Sequence, residues 1–287
     1  MNIKKITFAG IPECLELSDG KLELVVSTIW GPRVLYCSAP GGENFFKLFD
    51  GQIANPVPGE WNSYGGHRLW HAPETRPRTY FPDNEAVPYR MDGDSLILDC
   101  PEEVCNGVKK TIKISISGGV AEIEQKITNS GRWEIKLAPW GLSVMAPGGK
   151  LILPLPDHQE YGDNTLLPAL PIVLWRYTSM TDPRFKWGSR FIELSESAPG
   201  CDAPLKFGAW VEKGWVAYEL NGKYFVKRFP AVNGAEYPDF GCNFESYTQP
   251  GMLEVEVLAP LRSLAPGESA VLTEMWEVYP EKPDFLM

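Results

Sequence analysis

Residues 111–127 read Thr111-Ile112-Lys113-Ile114-Ser115-Ile116-Ser117-Gly118-Gly119-Val120-Ala121-Glu122-Ile123-Glu124-Gln125-Lys126-Ile127. On one side of Gly118-Gly119, Ile112, Ile114 and Ile116 alternate with Thr111, Lys113 and Ser115. On the other, Ala121, Ile123 and Ile127 alternate with Glu122, Glu124 and Lys126. Successive side chains of a strand point to opposite faces, so a period of two marks a strand with one face buried. A Gly-Gly pair between two such runs closes a tight hairpin, and the runs are then antiparallel. The same alternation returns at Leu253, Val255 and Val257 against Glu254 and Glu256, and Ser18-Asp19-Gly20-Lys21 and Asn221-Gly222 mark further turns. Strands are also expected over 21–28, 33–37, 96–99, 135–137, 205–211, 215–220, 224–229 and 270–278, while no long amphipathic helix is readable. The pattern predicts an all-β protein, a large antiparallel β-sandwich.

A chain of 287 residues fits a single all-β domain over 1–287, and no repeat, low-complexity tract or linker divides it. With 27 basic against 37 acidic side chains the net charge is -10, which argues against nucleic acid or an anionic membrane as partner. Hydrophobic residues at 44% suffice for a core, yet no run approaches the roughly 18 apolar residues of a membrane span, so a soluble protein is expected. Cys14, Cys37, Cys100, Cys105, Cys201 and Cys242 show no CxxC spacing and read as free, mostly buried thiols. Pro12, Glu13 and Glu16 interrupt the N-terminal apolar run and no small-residue cleavage site follows, so a cytoplasmic location is expected. No phosphate-binding glycine loop or nucleophile elbow is present, and no cofactor is expected. Nothing in the sequence fixes an oligomeric state.

Two segments depart from strand periodicity and carry clustered prolines: 50–90, with Pro56, Pro58, Pro73, Pro77, Pro82 and Pro88, and 139–190. Long irregular connections are often functional. Both hold what the strands lack, including all three histidines, His67, His71 and His158. The densest group is Gly65-Gly66-His67-Arg68-Leu69-Trp70-His71-Ala72-Pro73-Glu74. Against a sugar, an indole face stacks on the C–H face of a pyranose, Arg68 offers paired donors, and an imidazole moves a proton near neutral pH. Four residues apart on a helix, His67 and His71 would face one metal ion, but Pro73 cuts such a helix short and no Glu follows the first His, so no metal is expected. A second group is Cys242-Asn243-Phe244-Glu245-Ser246-Tyr247, where a carboxylate among aromatic rings would be partly desolvated and suited to act as a base. Trp140 after a strand, Lys186 in Pro183-Arg184-Phe185-Lys186-Trp187, and His158 complete the candidates. For each, the alternative is structural: core indoles, solvated charges and backbone-bonded imidazoles.

These pieces resemble the galactose-mutarotase-like superfamily, and within it the uncharacterised bacterial branch related to aldose 1-epimerase. Trp30-Gly31-Pro32-Arg33-Val34-Leu35 and Pro40-Gly41-Gly42-Glu43-Asn44-Phe45-Phe46 are similar to its opening strands and turn. The 65–74 stretch resembles its Gly-Gly-x-x-x-Trp-x-x-Pro signature, Asn243-Phe244-Glu245-Ser246 matches the position of its catalytic Glu, and Ala265-Pro266-Gly267-Glu268 its last hairpin. The resemblance implies a β-supersandwich with a sugar cleft in which Glu245 is the base that takes the anomeric proton, and in which His67 or His71 meets the substrate. It also implies an acid His after the middle strand, where this chain has Thr128-Asn129-Ser130 and then Pro139-Trp140-Gly141-Leu142. Three functions follow. The first is an aldose 1-epimerase-like mutarotase acting by acid–base ring opening, with Glu245 as base and His67 or His71 as acid. The second is carbohydrate binding without catalysis, with Trp70, Trp140 and Arg68 as contacts; Glu74, His158, Lys186 and Tyr247 are further substrate-binding candidates under either reading. A polysaccharide lyase or glycosidase is the third, the latter needing Glu74 as second carboxylate.

Overall fold

The computed structural model describes residues 1–53, 57 and 59–287; Pro56 and Pro58 lie outside the described residues. Among the described residues there are twenty-one strands. They are β1 (Asn2–Phe8), β2 (Ile11–Ser18), β3 (Glu23–Ser27), β4 (Arg33–Ser38), β5 (Gly66–Ala72), β6 (Tyr89–Asp92) and β7 (Ser95–Asp99). After them come β8 (Val108–Ser117), β9 (Val120–Asn129), β10 (Ile135–Met145), β11 (Lys150–Pro154), β12 (Ile172–Leu174), β13 (Phe185–Trp187) and β14 (Phe191–Ser195). The last seven are β15 (Leu205–Ala209), β16 (Trp215–Leu220), β17 (Lys223–Arg228), β18 (Phe244–Gln249), β19 (Met252–Leu258), β20 (Arg262–Leu264) and β21 (Ser269–Tyr279).

Two antiparallel sheets result. The first runs β1-β2-β3-β4-β5-β10-β19-β18-β15-β12, with β20 paired to β10; the second runs β13-β14-β11-β16-β17-β21-β9-β8-β7-β6. The chain is an all-β sandwich. Gly118-Gly119 and Asn221-Gly222 are two-residue connections, and β8 and β9 pair without a slip from Val108 opposite Asn129 to Ser117 opposite Val120. Ile114 and Ile123 face inward, where they join Val255, Leu253, Phe207 and Trp276 in a core shared by both sheets. Burying such a side chain contributes about 1.5–3 kcal/mol, which is why the alternating residues set the sandwich. Among the described residues, no helix is long and apolar enough to cross a membrane. Four cysteines, Cys14, Cys37, Cys100 and Cys242, are buried, Cys105 is exposed, and all six are free.

The 50–90 and 139–190 segments are not wholly irregular. They contain β5, most of β10, and β11 to β13. β5 is buried along its whole length, on both faces, so its sequence shows no alternation of apolar and polar residues. Pro139 sits inside β10, a central strand. Its carbonyl accepts from Ala259 N at 2.9 Å, so the N–H that proline lacks would point to the same residue just past the end of β19, and the loss falls at the edge of that pairing rather than within it. The turn into β5 requires glycine. Gly65 and Gly66 have φ of +85° and +69°, and a Cβ on them would lie 2.0 Å from Lys47 O and 2.4 Å from Val34 O.

Between the sheets lies a polar seam. Lys227 Nζ is 3.1 Å from Glu274 Oε2, which also accepts the Trp276 indole N–H at 2.7 Å. Opposite them, a Cβ on Gly141 would meet Glu274 Oε1 at 2.2 Å, so the seam closes only against bare backbone.

Candidate functional site

Period-two geometry divides β5 between two surfaces. Gly66, Arg68, Trp70 and Ala72 face away from the partner sheet; His67, Leu69 and His71 face toward it. Register carries the first surface across neighbouring strands: Trp140 stands opposite Trp70 and Leu142 opposite Arg68, while Leu258 and Glu256 pair with Trp140 and Leu142. Glu245 lies opposite Glu256, and Lys206 opposite Tyr247. The outer face of the first sheet therefore collects indoles, acids and bases at its middle.

Above them is a cleft of about 420 Å³, within the roughly 300–1,000 Å³ range of ligand sites. Arg68, Trp70, Glu74, Trp140 and Tyr247 all line it, as five of the sequence candidates. Trp70 and Trp140 meet edge to face at 5.5 Å, Trp61 and Tyr80 pack on Trp70, and Arg68 lies 4.3 Å over the Trp70 ring. Arg68 is paired with Glu254 at 3.1 Å, and the Tyr80 hydroxyl donates to Glu74.

Below the cleft floor is a buried ionic triad. Lys206 Nζ lies 2.8 Å from Glu245 Oε2 and 3.1 Å from Glu256 Oε2, and the Trp140 indole N–H donates to Glu256 at 3.1 Å. Neither glutamate side chain has any exposed surface. Burial pushes Glu256 up to about 7 despite the nearby ammonium, and raises Glu245 well above the usual carboxylate range. Burial alone would lower Lys206, but Glu256 and Glu245 outweigh it and hold the ammonium charged.

The histidines are elsewhere. His67 is fully buried in the seam, with Nδ1 2.9 Å from Ser143 Oγ and Nε2 3.0 Å from Gln125 Oε1. Burial, then the Lys227 charge, lowers it well below 6.5 and keeps it neutral. His71 is buried with Nε2 3.5 Å from Glu103, and burial lowers it too. Glu245 is three strands away on the other face, about 14 Å along the sheet, so no single sugar touches it and His67 together. The expected joint site of His67, His71 and Glu245 is therefore corrected: an odd-numbered offset on a strand sends the imidazoles inward. Nor can the two imidazoles share an ion, because four residues of strand separate them by about 13 Å. His158 is exposed beside a groove of about 910 Å³ that shares no wall residue with the cleft. Lys186 is exposed on β13 in the other sheet, 2.9 Å from Glu193.

Glu254 and Glu256 were legible only as the polar side of an alternating strand; Glu254 is cleft wall and Glu256 lies buried beneath the floor, not in solvent. Lys206, alone among the apolar residues of β15, carried a signal that the strand reading passed over. Trp61, Arg76, Tyr80 and Tyr177 are brought in by tertiary folding.

No family model matches the chain, and neither does any curated protein sequence. Solved structures do. The chain is similar to the Slr1438 protein from Synechocystis (TM-score 0.61, 12% identity, 96% of this chain and 99% of that one). It is similar to galactose mutarotase-like proteins from Lactobacillus casei (0.59, 9%, 93% and 100%) and Clostridium acetobutylicum (0.57, 11%, 96% and 98%). The fold is thus the galactose-mutarotase-like sandwich. At such identities the likeness assigns no residue a role.

Proposed function

We propose that the protein binds a neutral saccharide in the outer-face cleft without opening its ring. The observation that carries this reading is a cleft floored by the Trp70–Trp140 pair and walled by Trp61, Tyr80, Tyr177 and Tyr247, with the Arg68–Glu254 ion pair at its side. The half-buried Trp61 and Tyr80 and the exposed Tyr177 offer ring surface to the C–H side of a pyranose, and the ion-paired Arg68 and Glu254 offer a fixed donor and acceptor to its hydroxyls. Arg68 and Lys206 are both answered by carboxylates, which favours a neutral ligand over an acidic one. Among the described residues no imidazole lines the cleft, and the carboxylate expected as base is covered. A second reading, anomer exchange by acid–base chemistry, draws on Glu256, whose pKa near 7 suits proton transfer but whose side chain, like that of Glu245, is covered and would reach a substrate only through Lys206 in the cleft wall.

One experiment separates them. Calorimetric titration with glucose, galactose, mannose and their methyl glycosides is expected to give saturable binding of a free sugar and its methyl glycoside alike. Trp70→Ala should weaken it about tenfold. Polarimetry with the same sugars from about pH 5 to 9 should show only uncatalysed mutarotation. Acceleration lost in Glu256→Gln would establish the second reading instead, and no binding or turnover with any sugar would overturn both.

A further inference from the structure

Beside the cleft, and sharing Glu74, Arg76 and Tyr80 with it, is a second hollow of about 340 Å³ whose other walls are Thr75, Trp175 and Asp239. Lys206 joins the two spaces, its ammonium 4.6 Å from the Trp140 ring centre on one side and 4.9 Å from that of Trp175 on the other. Each space is small for a ligand site, and together they fall in the middle of the usual range.

The rim of the hollow is built at a cost. Asp239 and Phe240 adopt left-handed φ of 47° and 62°, which for residues with a Cβ costs on the order of 1–2 kcal/mol each. The turn is held by Cys242, whose N–H donates to Pro238 O at 2.9 Å and whose Sγ lies 3.0 Å from Asp239 O. Its outcome is a carboxylate in the hollow's wall and, next to it, a phenyl ring 90% exposed that the core does not use. Accessible aromatic side chains thus continue from Trp61 and Tyr177 in the cleft through Tyr80 and Trp175 to Phe240.

We propose that the site takes a neutral oligosaccharide of at least two rings, one in the cleft over the Trp70–Trp140 floor and against Trp61 and Tyr177, and the next in the hollow between Tyr80 and Trp175. This rests on the carbohydrate reading above. Asp239 and Glu74 accept from hydroxyls of the second ring, Arg76 donates to them, and Phe240 borders the exit. Two acids against one base in the hollow disfavour a second ring that bears a carboxylate.

The test compares affinities within matched series by calorimetry: glucose with cellobiose and maltose, galactose with lactose, mannose with mannobiose. In at least one series the disaccharide should bind about tenfold more tightly than its monosaccharide, the worth of one further stacked ring. Asp239→Asn, Trp175→Ala and Phe240→Ala should each remove part of that gain and leave monosaccharide affinity within about twofold, whereas Trp70→Ala weakens both. Phe240 is exposed, so its variant keeps the test valid even if Trp175→Ala misfolds. Equal affinity for mono- and disaccharides in every series overturns the proposal and leaves the carbohydrate reading standing; no binding by any of these sugars overturns both.

Discussion

Glu256 shows what burial does to a single group. Its folded pKa, pushed up to about 7, exceeds the unfolded value of 4.5, so between these limits the native state holds more proton than the unfolded chain. The stabilisation is complete below about 4.5 and is lost as pH rises through 7, at up to about 1.4 kcal/mol per pH unit for one proton. Glu245, raised by the same burial, acts in the same direction, and the pair titrates as a unit. His67 opposes them: its pKa is lowered, so stability is lost as pH falls below 6.5, where only the unfolded imidazole takes the proton. Glu256→Gln isolates one limb. Urea midpoints at about pH 5 and 7.5 should show the variant gaining on the wild type as pH rises; a constant gap would mean that Glu256 does not hold its proton.

At the scale of the element, β5 explains both the success and the failure of the sequence reading. Hairpins such as β8–β9 were legible because one face meets the core and the other meets water. β5 was not, because both faces are buried and both carry polar groups, Arg68 on one and His67 and His71 on the other. Hence the residues of the 65–74 stretch were identified as special while the faces they occupy stayed hidden. Knowledge of the partner strands supplies what local pattern lacks, since only register with β10 aligns Trp70 with Trp140. Neighbouring substitutions should separate the two faces. His67→Leu leaves Ser143 and Gln125 without their partner, costing about 1–3 kcal/mol in denaturant unfolding with sugar affinity unchanged. Arg68→Met, one residue on, should weaken sugar binding about tenfold by calorimetry; it also leaves the buried Glu254 carboxylate without its partner, so sugar affinity rather than stability separates the two faces. The reverse outcome would move the site to the inner face.

For the whole molecule, each sheet is one wall of a common core, and Lys227 of the second sheet reaches across to donate to Val255 O of the first at 3.2 Å. Neither sheet has an apolar surface complete without the other. Unfolding of residues 1–287 should therefore be one cooperative transition, with far-UV dichroism and tryptophan fluorescence giving coincident curves in urea. Separated transitions would divide the chain into independently stable parts. Legibility follows the same division of scale. Alternation identified the class of fold, but the cleft draws on β5, β10, β15, β18 and β19, whose adjacency is a property of the assembled sheet and of no local stretch.

The order of strands also leaves open rows of backbone N–H and C=O groups at β13 and β6, where a second copy of the chain would find a template for pairing. β13 is only three residues long and carries Lys186 at its centre, and β6 carries Arg90 and Asp92. Each approaching copy would present the same charges at the same level, and repulsion of like lysines would act before any ladder could form. Lys186, remote from the cleft and 2.9 Å from Glu193, thus sets a charged pair on the very edge along which a second copy of the chain would have to approach.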